Sequence, residues 1–248
     1  MKNSTKNIII IASVAVLLTL WEVVALCADS EQIMPSPWKV LVKTIMLFGQ
    51  KDFVFVVFST ILRGVASFVI ALLSGVVLGV IAGLHDGFGT FMKPWIVVMR
   101  STPVVAFVLL ALIWFSKSTA VFIGVLTMFP IVYTNIVTGI RNVDVKLVEM
   151  ARFYKVKRKR VIRKVYIPAI APFIVSGTST AVGIGWRAII VGEVLSQPRY
   201  GIGGSLQLAQ MQMNIDVLIA WTIIAVLLGG LFEKIIRHIE NVTIKRHI

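Results

Sequence analysis

Polar residues are what this chain of 248 residues has least of: charged side chains make up 15%, against about 25% in soluble domains. An ordinary water-surrounded core is thereby excluded. Acid is scarcest, with 11 Asp and Glu against 25 Lys and Arg. A single cysteine, Cys27, excludes an intrachain disulfide and a cysteine metal cluster. The histidines, His85, His238 and His247, are scattered, which argues against a metal site or a nucleophilic triad. No Gly-x-x-x-x-Gly-Lys-Ser/Thr occurs, so a P-loop for ATP phosphates is excluded. Gly183-Ile-Gly185 and Gly201-Ile-Gly203-Gly204 lack the third glycine and the strand–helix setting of a dinucleotide fingerprint.

What is abundant is apolar: 58% of residues are hydrophobic and the mean hydropathy is +0.92. A bilayer crossing takes about 20 mostly apolar residues. Runs of that kind lie at Ile8–Ala28, Ser59–Leu84, Pro94–Phe115, Ser118–Ile140, Pro168–Leu195 and Val217–Ile236. The expectation is an all-α integral membrane protein with six transmembrane helices. The first run exceeds the 7–15 residues of a signal-peptide core and no small-x-small cleavage site follows it, so it reads as a span. Trp38–Phe48 is short and mixed and reads as a helix lying at the interface. The domain reading is an N-terminal helix with interfacial segment over 1–55, a transmembrane domain over 56–240 and a tail over 241–248.

Six crossings put both termini on one side, and the concentration of Lys and Arg in cytoplasmic loops makes that side the cytoplasm. With the N-terminus inside, seventeen basic residues fall on the cytoplasmic side, among them Lys2, Lys6, Lys93, Lys234, Arg246 and ten between Arg141 and Lys164. Five fall outside. Topology therefore accounts for the basic charge without a nucleic-acid partner.

Ser67, Ala71, Gly75, Gly79 and Gly83 recur every fourth residue, as do Gly177, Ala181 and Gly185. Small residues at that spacing let helix backbones approach closely in lipid. Packing within one bundle is the favoured reading, a subunit interface the alternative. Pro103, Pro130 and Pro172 fall within or near spans and kink them.

The longest polar stretch, Arg141 to Lys164, reads as a short amphipathic helix with Leu147, Ala151 and Tyr154 at i, i+4, i+7 and Met150 beside them. Asn142 or Asp144 is suited to cap its start. It can rest on anionic lipid or dock on a protein. Glu149-Met150-Ala151, followed by Val165-Tyr-Ile167-Pro168, resembles the EAA loop of permease subunits of binding-protein-dependent ABC transporters. Ser59-Thr-Ile-Leu-Arg63-Gly, Pro94 through Arg100-Ser-Thr-Pro103, Phe129-Pro130 with Asn135 and Gly139, and Glu193 followed by Gly201-Ile-Gly203 resemble the group that imports nitrate, sulfonates, taurine and similar compounds. Two positions depart from the pattern. Met150 replaces the first Ala, and Lys155 stands where a Gly is usual, at a cost of roughly 1–2 kcal/mol if the turn needs positive φ.

The resemblance implies a type I ABC importer permease-like fold, with the loop over 141–167 acting as a cytoplasmic coupling helix on a separate ATPase subunit. Leu147, Met150, Ala151 and Tyr154 would anchor it, with Lys155 in the same interface; Lys155 in place of Gly means either a turn built differently or a loop that is more continuously helical. Pro168 would stiffen the joint to the fifth span. Glu149 would fix the register through a polar contact, the alternative being an ion pair with Lys146 or Arg152. ATP and Mg would belong to the ATPase, no cofactor or metal to this chain. The partners implied are that ATPase, an extracytoplasmic binding protein, a second permease copy and membrane lipid. Intramembrane charges are expensive and are candidates for function. Arg100, Arg187 and Glu193 are the candidates for the translocation path, with a structural ion pair or snorkelling as the alternative for Arg187, while Arg63 reads as snorkelling at a span edge. The function implied is the translocation path for a small nitrate-, sulfonate- or taurine-like or thiamine-precursor-like solute delivered by that binding protein; the rival class is a stand-alone secondary transporter or channel, which would show similar halves or a mid-membrane relay.

Overall fold

The structure is a computed structural model and describes residues 3–28, 30 and 33–245, with the side chains of 3, 4, 6 and 239–245 left aside. Lys2, Arg246 and His247, counted above, lie outside the described residues. Among these there are helices and no strands: α1 (Asn3–Ala28), α2 (Pro37–Phe48), α3 (Phe53–Leu84), α4 (Asp86–Ser101), α5 (Val104–Phe115), α6 (Thr119–Arg141), α7 (Val145–Phe153), α8 (Arg158–Val161), α9 (Ile167–Ser196), α10 (Ile202–Met211) and α11 (Ile215–Lys245). α1 is apolar on every side and exposed along nearly its whole length, as suits a helix surrounded by lipid. The segment expected as a tail from residue 241 begins as the last turns of α11.

Among the described residues five stretches are long and apolar enough to cross a membrane: Asn7–Ala28, Phe53–Leu84, Val104–Arg141, Arg158–Ser196 and Ile215–His238. The third is folded on itself. Ser116 has φ 39° and the Thr119 hydroxyl donates to the Ala111 carbonyl at 3.3 Å, so α5 doubles back on the start of α6. Six continuous transmembrane helices are therefore not found, because the expected span Pro94–Phe115 is broken at Thr102-Pro103. Pro103 has no N–H to give and holds Thr102 extended (φ −76°, ψ 131°), which ends α4 there.

The core is a sandwich with α6 in the middle. A Cβ added at Gly75, Gly79 or Gly83 of α3 would lie 2.8 Å from Val132, Ile136 or Ile140 of α6. On the other side, Gly177 would meet Asn135 at 2.7 Å, Gly185 would overlap Met128, and Gly192 would meet Ala120 at 2.9 Å. The small-residue stripes are thus packing faces within one chain, as expected in a solvent that supplies no hydrophobic drive between helices. Their numbering also gives direction. Contacts of α3 with α6 rise together and those of α9 with α6 run oppositely, so α3 and α6 are parallel and α9 is antiparallel. The chain between α3 and α6 must then travel back along the bundle, and it does so in two pieces, α4 and α5.

α11 closes the other flank of α9. Trp186 donates its indole N–H to the Ala225 carbonyl at 2.9 Å and lies against Gly64 and Gly229, where a Cβ would come within 3.3 and 2.6 Å of the ring. α2, started by Pro37 at N1 with the Ser36 hydroxyl accepting the Lys39 N–H at 3.4 Å, buries Val40, Thr44 and Leu47. An ion pair between Lys43 and Asp216 at 3.3 Å joins it to α11.

Candidate functional site

At the strongly basic end of the bundle, α6 gives way to α7 through Asn142 and Val143. Of the two possible caps, Asp144 does the capping: its carboxylate accepts the Lys146 N–H at 2.9 Å, while Asn142 turns its side-chain amide back to the Thr138 carbonyl. α7 spans nine residues, too few to be stable alone in water, so tertiary contact must hold it. The inward side of α7 carries Ala151, which is buried, and Val148, which is half-buried. Ala151 thus belongs to the inner side of α7 and not to the exposed anchor expected from its i+4 spacing. The outer side shows Leu147, Met150 and Tyr154, joined by Phe153 at 81% exposure. Phe153 packs edge-on against Tyr154 with ring centroids 5.4 Å apart. Glu149 is exposed and has no ion pair among the described residues, so neither Lys146 nor Arg152 holds it.

Lys155 has φ 50°. Its N–H donates to the Arg152 carbonyl at 3.0 Å and the Val156 N–H to the Ala151 carbonyl at 2.9 Å. That 5→2 and 6→1 pair is the Schellman stop of a helix, whose left-handed residue is usually Gly. The loop is therefore built as a glycine turn with a lysine in it.

Beyond the turn the chain becomes helical again at Arg158, ten residues before the expected start at Pro168. Between α8 and α9 lies one π-turn, Ile162–Tyr166, with the Ile167 N–H donating to the Ile162 carbonyl. Pro168 explains it: its ring excludes the carbonyl four residues back and removes a donor, and a wider turn absorbs both. The consequence is a 39-residue helical stretch, Arg158–Ser196, about 58 Å long, from the basic loop to the far end of the bundle.

At that far end Glu193 is fully buried. Arg63 of α3 pairs with it at 2.5 Å and also donates to the Tyr200 carbonyl at 2.9 Å. The Thr60 hydroxyl lies 3.0 and 2.9 Å from the two carboxylate oxygens and accepts the Ile202 N–H at 2.9 Å. The Gly203 N–H donates to Glu193 Oε2 at 2.9 Å. A carboxylate at the first turn of α10 meets both orphan N–H groups and the positive end of the helix dipole. The approach leaves no space at Gly203, where a Cβ would strike Glu193 Cβ and lie 2.6 Å from the Ile190 carbonyl. Arg63 is thus an internal partner of Glu193 and not a snorkelling residue. Nothing local in the sequence signals that pair, whose members are 130 residues apart.

Arg187 lies on the exposed side of α9, in a row with Ser176, Thr180, Ile184, Val191 and Leu195, and Arg100 is exposed in the last turn of α4. Neither has an ion pair among the described residues. Glu193 does not join them.

Residues 75–243 match the binding-protein-dependent transport system inner membrane component family. This chain belongs to that family. The matched region begins in the second half of α3 and includes α7, the π-turn, Glu193 with Gly203, and α11 as far as residue 243, while Thr60 and Arg63 lie before it. Similarity to single proteins reaches further. An ABC transporter permease of Methanocaldococcus jannaschii is 28% identical over 97% of this chain and 92% of its own length. The aliphatic sulfonates transport permease protein SsuC of Bacillus subtilis is 29% identical over 93% and 84%, and the taurine transport system permease protein TauC of Escherichia coli 26% identical over 93% and 86%. In fold, the chain is similar to the inward-facing MetNI methionine ABC transporter, with TM-score 0.58 at 13% identity over 80% of this chain and 99% of that one. The chain is accordingly a multi-pass inner-membrane permease subunit of an ABC transport system that works with a binding protein.

Proposed function

We propose that α7 is the coupling helix of an ATP-driven importer and that its outer face docks in a groove on a separate ATPase subunit, which binds the ATP and Mg. The observation that carries this reading is the division of α7: Ala151 is buried and Val148 half-buried, while Leu147, Met150, Phe153 and Tyr154 stay uncovered. Exposed aromatic and thioether side chains of this kind are the usual anchors of a protein interface. Glu149, without an ion-pair partner of its own, supplies the contact that sets the register. The rod from Arg158 to Ser196 carries the movement of the loop to the far end. Pro168 and the Schellman turn at Lys155 fix the angle between loop and rod.

The chain itself is non-catalytic. A second copy completes the path, and each copy crosses the membrane six times, α4 and α5 sharing one crossing, with both termini in the cytoplasm. The exposed row on α9 lines the path. Arg187, a cation without an ion pair among the described residues, in a row of otherwise apolar and hydroxyl side chains, suits a small solute with an anionic group, such as the sulfonates or taurine named for the relatives. Arg100 serves the same path from α4. Glu193 shapes it from behind, by holding α10.

Co-purification from mild detergent tests the coupling role. Glu149→Arg and Met150→Asp are expected to stay folded and to lose the ATPase subunit that the wild-type chain brings down. A folded wild-type chain that never brings down an ATPase and transports in liposomes without ATP would overturn the reading in favour of a secondary transporter.

A further inference from the structure

Behind α7, between the basic loop and the ends of the long helices, lies a cavity of about 660 Å³. Its walls are mostly aliphatic, from Val80 of α3 and Ile140 of α6 to Val161 and Ile170 on the rod. Two arginines are among its lining residues, Arg152 from α7 and Arg158 from α8, and neither has an ion pair among the described residues. Seven of the ten residues from Lys155 to Lys164 are basic, and no Asp or Glu occurs between Glu149 and Glu193. An apolar chamber edged by two arginines that no acid pairs among the described residues calls for a ligand that is greasy at one end and anionic at the other.

We propose that this cavity holds one anionic phospholipid, with its phosphate held by Arg152 and Arg158 and an acyl chain lying against Val80, Ile140, Val161 and Ile170. Guanidinium meets phosphate bidentately, and basic pockets between membrane helices are the usual seats of acidic head groups. A polar anion alone would leave the aliphatic walls unfilled, and a zwitterionic lipid would bring an ammonium group to a place already crowded with positive charge. The bound lipid fills the space behind α7 and so supports it from the side opposite its exposed face. The site stands whether or not α7 docks on an ATPase.

Native mass spectrometry of the full chain, purified in detergent and titrated with dioleoyl phosphatidylglycerol or dioleoyl phosphatidylcholine, is the test. One phosphatidylglycerol is expected to stay bound in preference to phosphatidylcholine. Arg152→Gln/Arg158→Gln is expected to lower its occupancy about tenfold, and Lys159→Gln/Arg160→Gln, in the same basic run but off the cavity wall, by less than about twofold. Val161→Trp, which fills the chamber and leaves its charge unchanged, is expected to lower occupancy as well. Equal retention of the two lipids, or equal losses in the two double variants, would show diffuse surface attraction and overturn the proposal. Displacement of the lipid by excess inorganic phosphate would also overturn it, since the site would then be one for the free anion.

Discussion

The two ends of this bundle treat polar groups in opposite ways. At the far end Glu193 is buried and Arg63, Thr60 and the Gly203 N–H all meet it. At the basic end Glu149, Arg152 and Arg158 stand without ion pairs among the described residues, beside uncovered Leu147, Met150 and Phe153. A buried charge left unmatched is costly, so the far end must close its account within the chain. An exposed surface has no such requirement and can leave its groups open for a partner. The far end is thus built as structure, and under the proposed coupling role the basic end is the interface, so mutations should divide along the same line: stability at one end, association at the other.

The largest effect should come from Glu193→Ala. It strands Arg63 and two N–H or O–H donors in the interior, and removal of one partner of a buried pair typically costs 3–5 kcal/mol. The expected outcome is a marked loss of folded, monodisperse protein and a lower melting temperature in detergent, with Arg63→Ala close behind. Glu193→Gln should be milder, since it keeps an acceptor for Gly203. If Glu193→Ala melted like the wild type, the far end would not be the closed structural unit described here.

Next is Gly79→Val, which forces two methyl groups into the α3–α6 contact, where even a Cβ would lie 2.8 Å from Ile136. Overpacking usually costs about 1–3 kcal/mol. Thermal melting should fall while any ATPase co-purification from the surviving folded fraction persists. Met150→Asp should do the reverse, leaving melting within about 0.5 kcal/mol of the wild type, as exposed substitutions do, while association is lost. A Met150→Asp chain that melts early would mean that α7 is covered by its own bundle.

How much of this the sequence made legible differs by region for physical reasons. Long apolar runs and fourth-residue glycines are local patterns, so the spans around α3, α6, α9 and α11 and the packing faces of α3 and α9 were readable from spacing alone. α7 was readable in the same way, with Asn142 and Asp144 as alternative caps between which only the structure decides. The Arg63–Glu193 pair was not, because a contact between helices distant in sequence leaves no periodic trace. Ala151 was misplaced because on so short a helix a small apolar residue fits either side, and only packing decides. Pro103 stood in plain view, yet its effect depended on Thr102 being free to extend. The early start at Arg158 was hidden because basic residues continue a helix as well as they end one, and the π-turn that reconciles it with Pro168 has no sequence signature of its own.

The smallest predicted effect sharpens the comparison most, because it changes stability at the end assigned to association. Lys155 sits at φ 50° in a turn whose two hydrogen bonds, to the Arg152 and Ala151 carbonyls, are both made. A side chain with a Cβ in that conformation costs roughly 1 kcal/mol, which glycine avoids. Glycine also has more freedom to lose on folding, and that offsets part of the gain. The net expectation for Lys155→Gly is a local stabilisation of a few tenths to about 1 kcal/mol. It should be read as slower amide exchange of the Tyr154 and Val156 N–H groups and not as a shift in global melting, since the turn lies outside the α3, α6 and α9 core. Lys155→Ala should do less, because it keeps the Cβ. If Lys155→Ala and Lys155→Gly slowed exchange equally, the turn would be limited by the charge of Lys155 among its basic neighbours and not by its left-handed backbone.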